Sequence, residues 1–118
     1  MAVTDSLINW TITQIFNEIG YIGIGTGVEP TQSSVTLQNE GSRKAVDKFI
    51  DLNTAIIEGF WDETEANGVT WTNAAVFGNG DTAIIGSGNV FAGGAINIPK
   101  TNTQSMTVSV EITVEAVN

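Results

Sequence analysis

Asp62, Glu63 and Glu65, with Asn67 close behind, gather oxygen-bearing side chains just before Gly68. Hard oxygen ligands at near-alternating positions are what Ca²⁺ or Mg²⁺ requires. The spacing is not that of an EF-hand and no second acidic cluster accompanies it. A solvated acidic loop is therefore the favoured reading, with Asp62, Glu63 and Glu65 as the candidate ligands if a cation binds. Trp10, Trp61 and Trp71 are the next residues with chemistry to offer. Together they suit a sugar platform, but each also suits the core or a subunit contact, and contact is the role expected in so short a chain. Gly23-Ile24-Gly25-Thr26-Gly27 invites a phosphate-loop reading and fails on spacing, since Pro30 and a polar loop follow where a helix N-terminus is needed. Close backbone packing is the better account of those glycines. Gly86-Ser87-Gly88 lacks the spacing of a nucleophile elbow, and no pair of carboxylates is marked out for glycoside hydrolysis.

The 118 residues include no His and no Cys. This removes Ser-His-Asp and Cys-His nucleophiles, thiol redox chemistry, haem and iron–sulfur ligation, and the usual zinc sites. No catalytic residue and no cofactor is expected. Thirteen acids face four bases, Arg43, Lys44, Lys48 and Lys100, for a formal charge of −9. Such a surface repels phosphate backbones, so nucleic acid is not an expected partner. No apolar run is long enough for a transmembrane helix, and no membrane partner is expected. The N-terminal residues lack the basic and apolar regions of a secretion signal, so synthesis in, and at first residence in, the cytoplasm is expected.

Charged residues make up only 14% while Gly, Thr and Asn are abundant, the composition of a turn-rich β protein. The spacing predicts one amphipathic helix over about 6–19, with Leu7, Ile8, Ile12, Ile15, Phe16 and Ile19 on its buried face. Thr4 or Asp5 is the N-cap and Gly20 the stop. Trp10 lies off that face. Period-two patterning then predicts strands over Tyr21–Gly25, Ser42–Leu52, Thr54–Trp61, Val69–Phe77, Thr82–Ile85, Asn89–Ile98 and Met106–Val114, with a single helical turn within Ser34–Asn39. Val46, Ile50 and Leu52 are expected to share a face. The expected fold is mainly β: a compact sandwich of six or seven mostly antiparallel strands over about 21–117, capped by the helix, in a single domain spanning 1–118.

Tyr21-Ile22-Gly23-Ile24-Gly25-Thr26-Gly27, followed by Pro30-Thr31, Leu37, Glu40 and Arg43-Lys44-Ala45-Val46, resembles a pattern found in small tailed-phage virion proteins. The likeness resumes at Glu65-Ala66-Asn67-Gly68, Trp71 and Ala74-Ala75-Val76-Phe77, and closes at Lys100-Thr101 and Ser105-Met106-Thr107-Val108. It departs from the family at Asn73-Ala74-Ala75, where Glu-Ala-Gly is usual, and at Gly93-Gly94, which stands where Arg is expected. No family salt bridge is carried over there. The resemblance implies a non-enzymatic structural part of a tail, baseplate or fibre attachment, located in the virion, with a capsid decoration or neck role as the alternative. Its partners would be other virion proteins and copies of itself, with three-fold symmetry at a fibre or tail tip and five- or six-fold symmetry at the head or neck. A carbohydrate-binding sandwich recognising a host-surface glycan is the competing class; a carboxylate hydrolase comes third. Two expectations about assembly follow. The Trp10–Asn9 side of the helix should be partly covered, by another copy or by the domain's own loops. The last strand, which lacks protective Lys and Pro, should be central in its sheet or completed by another chain.

Overall fold

The computed structural model describes residues 2–116; Met1 and the last position of the expected sandwich, 117, lie outside the described residues. Helix α1 (Asp5–Glu18) begins at Thr4, whose carbonyl accepts the Leu7 and Ile8 amides at 3.1 Å. It ends at Ile19, which turns to an extended conformation. Gly20 adopts no left-handed geometry; its amide is held by the Asp81 carboxylate at 3.0 Å, so a distant side chain takes part in the stop. Ile12 and Ile19 are buried and Ile8, Ile15 and Phe16 partly so, whereas Leu7, expected on that face, is 51% exposed.

Seven strands follow: β1 (Tyr21–Gly25), β2 (Glu40–Ala45), β3 (Asp47–Asp51), β4 (Thr54–Trp61), β5 (Val69–Gly78), β6 (Asn89–Lys100) and β7 (Met106–Thr113). They form two antiparallel sheets, β2-β1-β5-β6 and β3-β4-β7. The expected sandwich with its N-terminal helix is the observed fold. Strand alternation sets the core: Ile22 and Ile24 with Ala74, Val76 and Trp71 from the first sheet face Ala55, Ile57, Trp61, Met106 and Val108 from the second. Helix residues Ile12 and Ile19 belong to the same cluster. The sheets approach closely at Gly59, where a Cβ would collide with Ile22 and stand 2.9 Å from the Trp61 ring.

Three expected elements are corrected. Ser42–Leu52 is two strands in two sheets, because Val46 leaves the ladder and donates its amide to the Gly20 carbonyl at 3.1 Å. Leu52 does not share a face with Val46: it occupies the β3–β4 turn at φ 56°, 84% exposed. Ser34–Asn39 forms turns without helix and sets Leu37 onto Ala75 and Phe77, a second small core on the outer side of the first sheet. Thr82–Ile85 pairs with no strand; Ile84 and Ile85 are exposed, and the Thr82 carbonyl serves Arg43, as described below.

Candidate interaction surfaces

The acidic loop is a latch. Asp62 accepts the Thr64 hydroxyl at 2.6 Å and the Thr64 amide at 2.8 Å, and these bonds, the hydroxyl's first, hold its carboxyl below the usual value. Glu65 pairs with Lys44 and accepts the Asp62 amide at 3.1 Å; the Lys44 bond is the main reason its carboxyl is also lowered. Asn67 donates to the Glu63 carbonyl and accepts from the buried Lys100 ammonium at 2.7 Å. Trp71 donates its indole N–H to Ala66 at 2.9 Å. The Asp62 and Glu65 carboxylates are therefore turned to local work, Glu63 takes part through its backbone carbonyl alone, and no group of three metal-binding side chains occurs among the described residues.

The three tryptophans separate. Trp61 and Trp71 lie in the core, 0% and 4% exposed, and Trp61 donates to Ser42 Oγ at 2.8 Å. Neither is available as an interface residue or sugar platform, because alternation along β4 and β5 points both inward. Trp10 is 61% exposed, so the domain's own loops do not provide the cover expected for it.

All four cations are engaged internally. Arg43 forms a bidentate pair with Glu40 (Nε to Oε2 2.7 Å, Nη2 to Oε1 2.8 Å), with side chains 1% and 3% exposed. Its remaining nitrogen donates to the Thr82 and Ser87 carbonyls at 3.0 Å and to Ser87 Oγ at 2.8 Å, and the guanidinium stacks 3.9 Å from the Phe77 ring centre. Gly23 makes room for this group, since a Cβ there would strike Glu40 and sit 2.9 Å from Phe77. Lys48 donates to the Phe16 and Ile19 carbonyls at 2.6 and 2.8 Å, supplying the positive charge that the last turn of α1 lacks. Lys100, 1% exposed, bonds Asn67 Oδ1 and the Thr101 carbonyl. Asn73, fully buried, donates to the Val28 and Gln38 carbonyls and so clips the loop after β1 onto its sheet; its Oδ1 has no partner.

Two kinds of surface are left open. One is the side of the sandwich where β6 and β7 run as neighbouring sheet edges. Edge strands β2 and β3 each carry three charged residues, whereas β6 carries only Lys100 at its end and β7 only Glu111. Between them lies a groove lined by Gly94, Ile96, Ser109, Val110 and Glu111, and a Cβ built on Gly94 meets nothing within 4 Å. The other is the outer face of the second sheet. Its register puts Phe49 opposite Ile56 and Asp47 opposite Glu58, with Phe60 next along β4 opposite Thr107. Phe49 and Phe60 are about half exposed, at 48% and 52%.

The sandwich is the class of fold these features define. No family model matches the chain, and no curated protein matches it. The Arg43–Glu40–Phe77 cluster, the Asp47–Glu58 pair and the bare β6 edge are absent from the functional candidates drawn from sequence. The pair had a signal. A two-residue turn at Leu52-Asn53 fixes the register of its flanking strands, and that register alone sets Asp47 against Glu58.

Proposed function

We propose that this chain is a non-enzymatic structural component of a tailed-virus particle, in the tail, baseplate or fibre attachment, working through contacts with other chains. A capsid decoration or neck position is the same reading at another place in the particle. The motif resemblance from Tyr21 to Val108 suggests the setting, and the pair of nearly uncharged edges at β6 and β7 is the observation that carries the mode of action. The last strand is not central: β7 is the edge of a three-stranded sheet. Its ladder groups, and those of β6 beyond Val90, whose amide is taken by the Val35 carbonyl at 2.9 Å, form sheet edges that can accept a strand from a neighbour, which gives affinity through backbone hydrogen bonds without catalytic chemistry. Mass spectrometry of density-purified particles from the strain carrying the gene tests the reading. The expected result is this chain in many copies per particle, placed in a map with β6 or β7 against another chain. Its absence from intact particles overturns the proposal.

A further inference from the structure

We infer that the outer face of the β3-β4-β7 sheet is a socket for a Lys or Arg side chain presented, between apolar neighbours, by a different protein. The cross-strand register lays this face out in rows. Phe49 and Ile56 form one row and end at Glu111; Asp47 and Glu58 form the next and end at Ser109; Phe60 with Thr107 forms the third. Two carboxylates thus sit side by side between an aromatic–aliphatic row and a second aromatic. Like charges directly opposite on an antiparallel pair oppose the pairing. Among the described residues, no hydrogen bond or ion pair engages either carboxylate.

None of the four Lys and Arg side chains relieves them. Lys48, the base on β3, points to the other side of the sheet and bonds the end of α1. Arg43 is buried with Glu40, Lys44 is paired with Glu65, and Lys100 is buried on Asn67. The same fact selects the occupant. A second copy brings an identical acidic face and four bases already bonded, and nucleic acid or an anionic membrane brings the wrong sign. A basic side chain on another protein fits both parts of the face. Its head forms charge-assisted bonds to Asp47 and Glu58, while its stem lies against Phe60 and Ile56, where a guanidinium also gains from the ring faces. Alternate residues of a strand are spaced about 6.6 Å apart, so an extended apolar-x-Arg-x-apolar segment laid along β4 meets Ile56, Glu58 and Phe60 in turn.

This inference does not rest on the virion reading, since a peptide alone tests it. Capped nonapeptides with a Val-Thr-Arg-Thr-Val core, and the same peptides with Gln or Glu for Arg, are titrated into the ¹⁵N-labelled chain. The Arg peptide is expected to bind at least tenfold more tightly than the Gln peptide, with shifts confined to β3, β4 and β7. Asp47→Asn/Glu58→Gln should abolish that preference and raise the melting temperature, which shows that the variant folds. Phe60→Ser should weaken binding of both the Arg and the Gln peptide. Equal binding of Arg and Gln peptides, shifts elsewhere, or unchanged Arg binding by Asp47→Asn/Glu58→Gln would overturn the inference. So would a wild-type dimer that Phe49→Ser/Phe60→Ser separates, because the occupant would then be a second copy.

Discussion

Arg43 is the residue on which most depends. Its guanidinium joins β2, the ring of Phe77 and the segment 82–87 in one buried group. Removing one member of a buried, hydrogen-bonded ion pair leaves the other charge uncompensated, which costs about 3–5 kcal/mol. Glu40→Gln is expected to lower unfolding free energy by that amount in urea denaturation. Arg43→Lys should rescue little, because an ammonium cannot bond both Glu40 oxygens, two carbonyls and a hydroxyl while lying flat on a ring. A Lys variant as stable as the wild type would refute this account. Leu52 is the opposite case. A left-handed conformation costs a non-glycine residue about 1–2 kcal/mol, and this side chain, 84% exposed, recovers little by burial. Leu52→Gly removes that strain and loosens the unfolded chain, so thermal melting should show a net gain of about 0.5–1 kcal/mol. A loss would mean that Leu52 packs against the nearby start of α1 more than its exposure implies.

Elements were legible where one periodicity ran unbroken. The alternation of Met106 to Val114 marked β7 and its buried face, and the spacing from Ile8 to Ile19 marked α1. Elements held by distant partners were not legible. The break at Val46 depends on a carbonyl at Gly20, and the segment 82–85 takes its shape from Arg43 on another strand. No local pattern records either. The acidic cluster was visible as composition, but its role was hidden, because Lys44, Trp71 and Lys100 reach it from three strands. That role has a pH signature. Asp62 and Glu65 are lowered from 3.8 and 4.5, so their stabilisation is complete above the unfolded values and fades as pH falls through the folded ones. Protection of the loop's amide hydrogens, taken relative to the intrinsic exchange rate at each pH, should therefore fall below about 4.5, the ordinary Glu65 value. Glu65→Gln should be less stable than the wild type at neutral pH and equal to it in strong acid. The effect is small, since Lys44 and Glu65 are 30% and 33% exposed and water screens the pair. A difference independent of pH would assign the loss to shape and not to charge.

At the scale of the whole molecule, the decisive fact is that its charge of −9 is carried by a surface whose bases are all spoken for. Two copies approaching one another repel over a range set by the Debye length, about 10 Å at 0.1 M salt and 3 Å at 1 M. Contacts made through ion pairs weaken as salt is added. Contacts made through β6 or β7 have no ion pairs to lose from Asn89 to Ile98, and screening removes the general repulsion that opposes them. Self-association is therefore expected to strengthen as NaCl rises from about 0.05 to 0.5 M in sedimentation experiments. Binding of the Arg peptide to the Asp47–Glu58 face should weaken over the same range, so salt separates the two surfaces. Gly94→Lys decides whether the β6 edge is the one used. The groove beside Gly94 has room for the side chain, so the monomer should keep its melting temperature. Any strand added to that edge would bury an inward-pointing charge, the device by which edges are protected. The substitution also lowers the net negative charge, which by itself would ease the approach of two copies. Loss of association in this variant can therefore come only from the blocked edge, and association that persists or grows would show that the copies meet elsewhere.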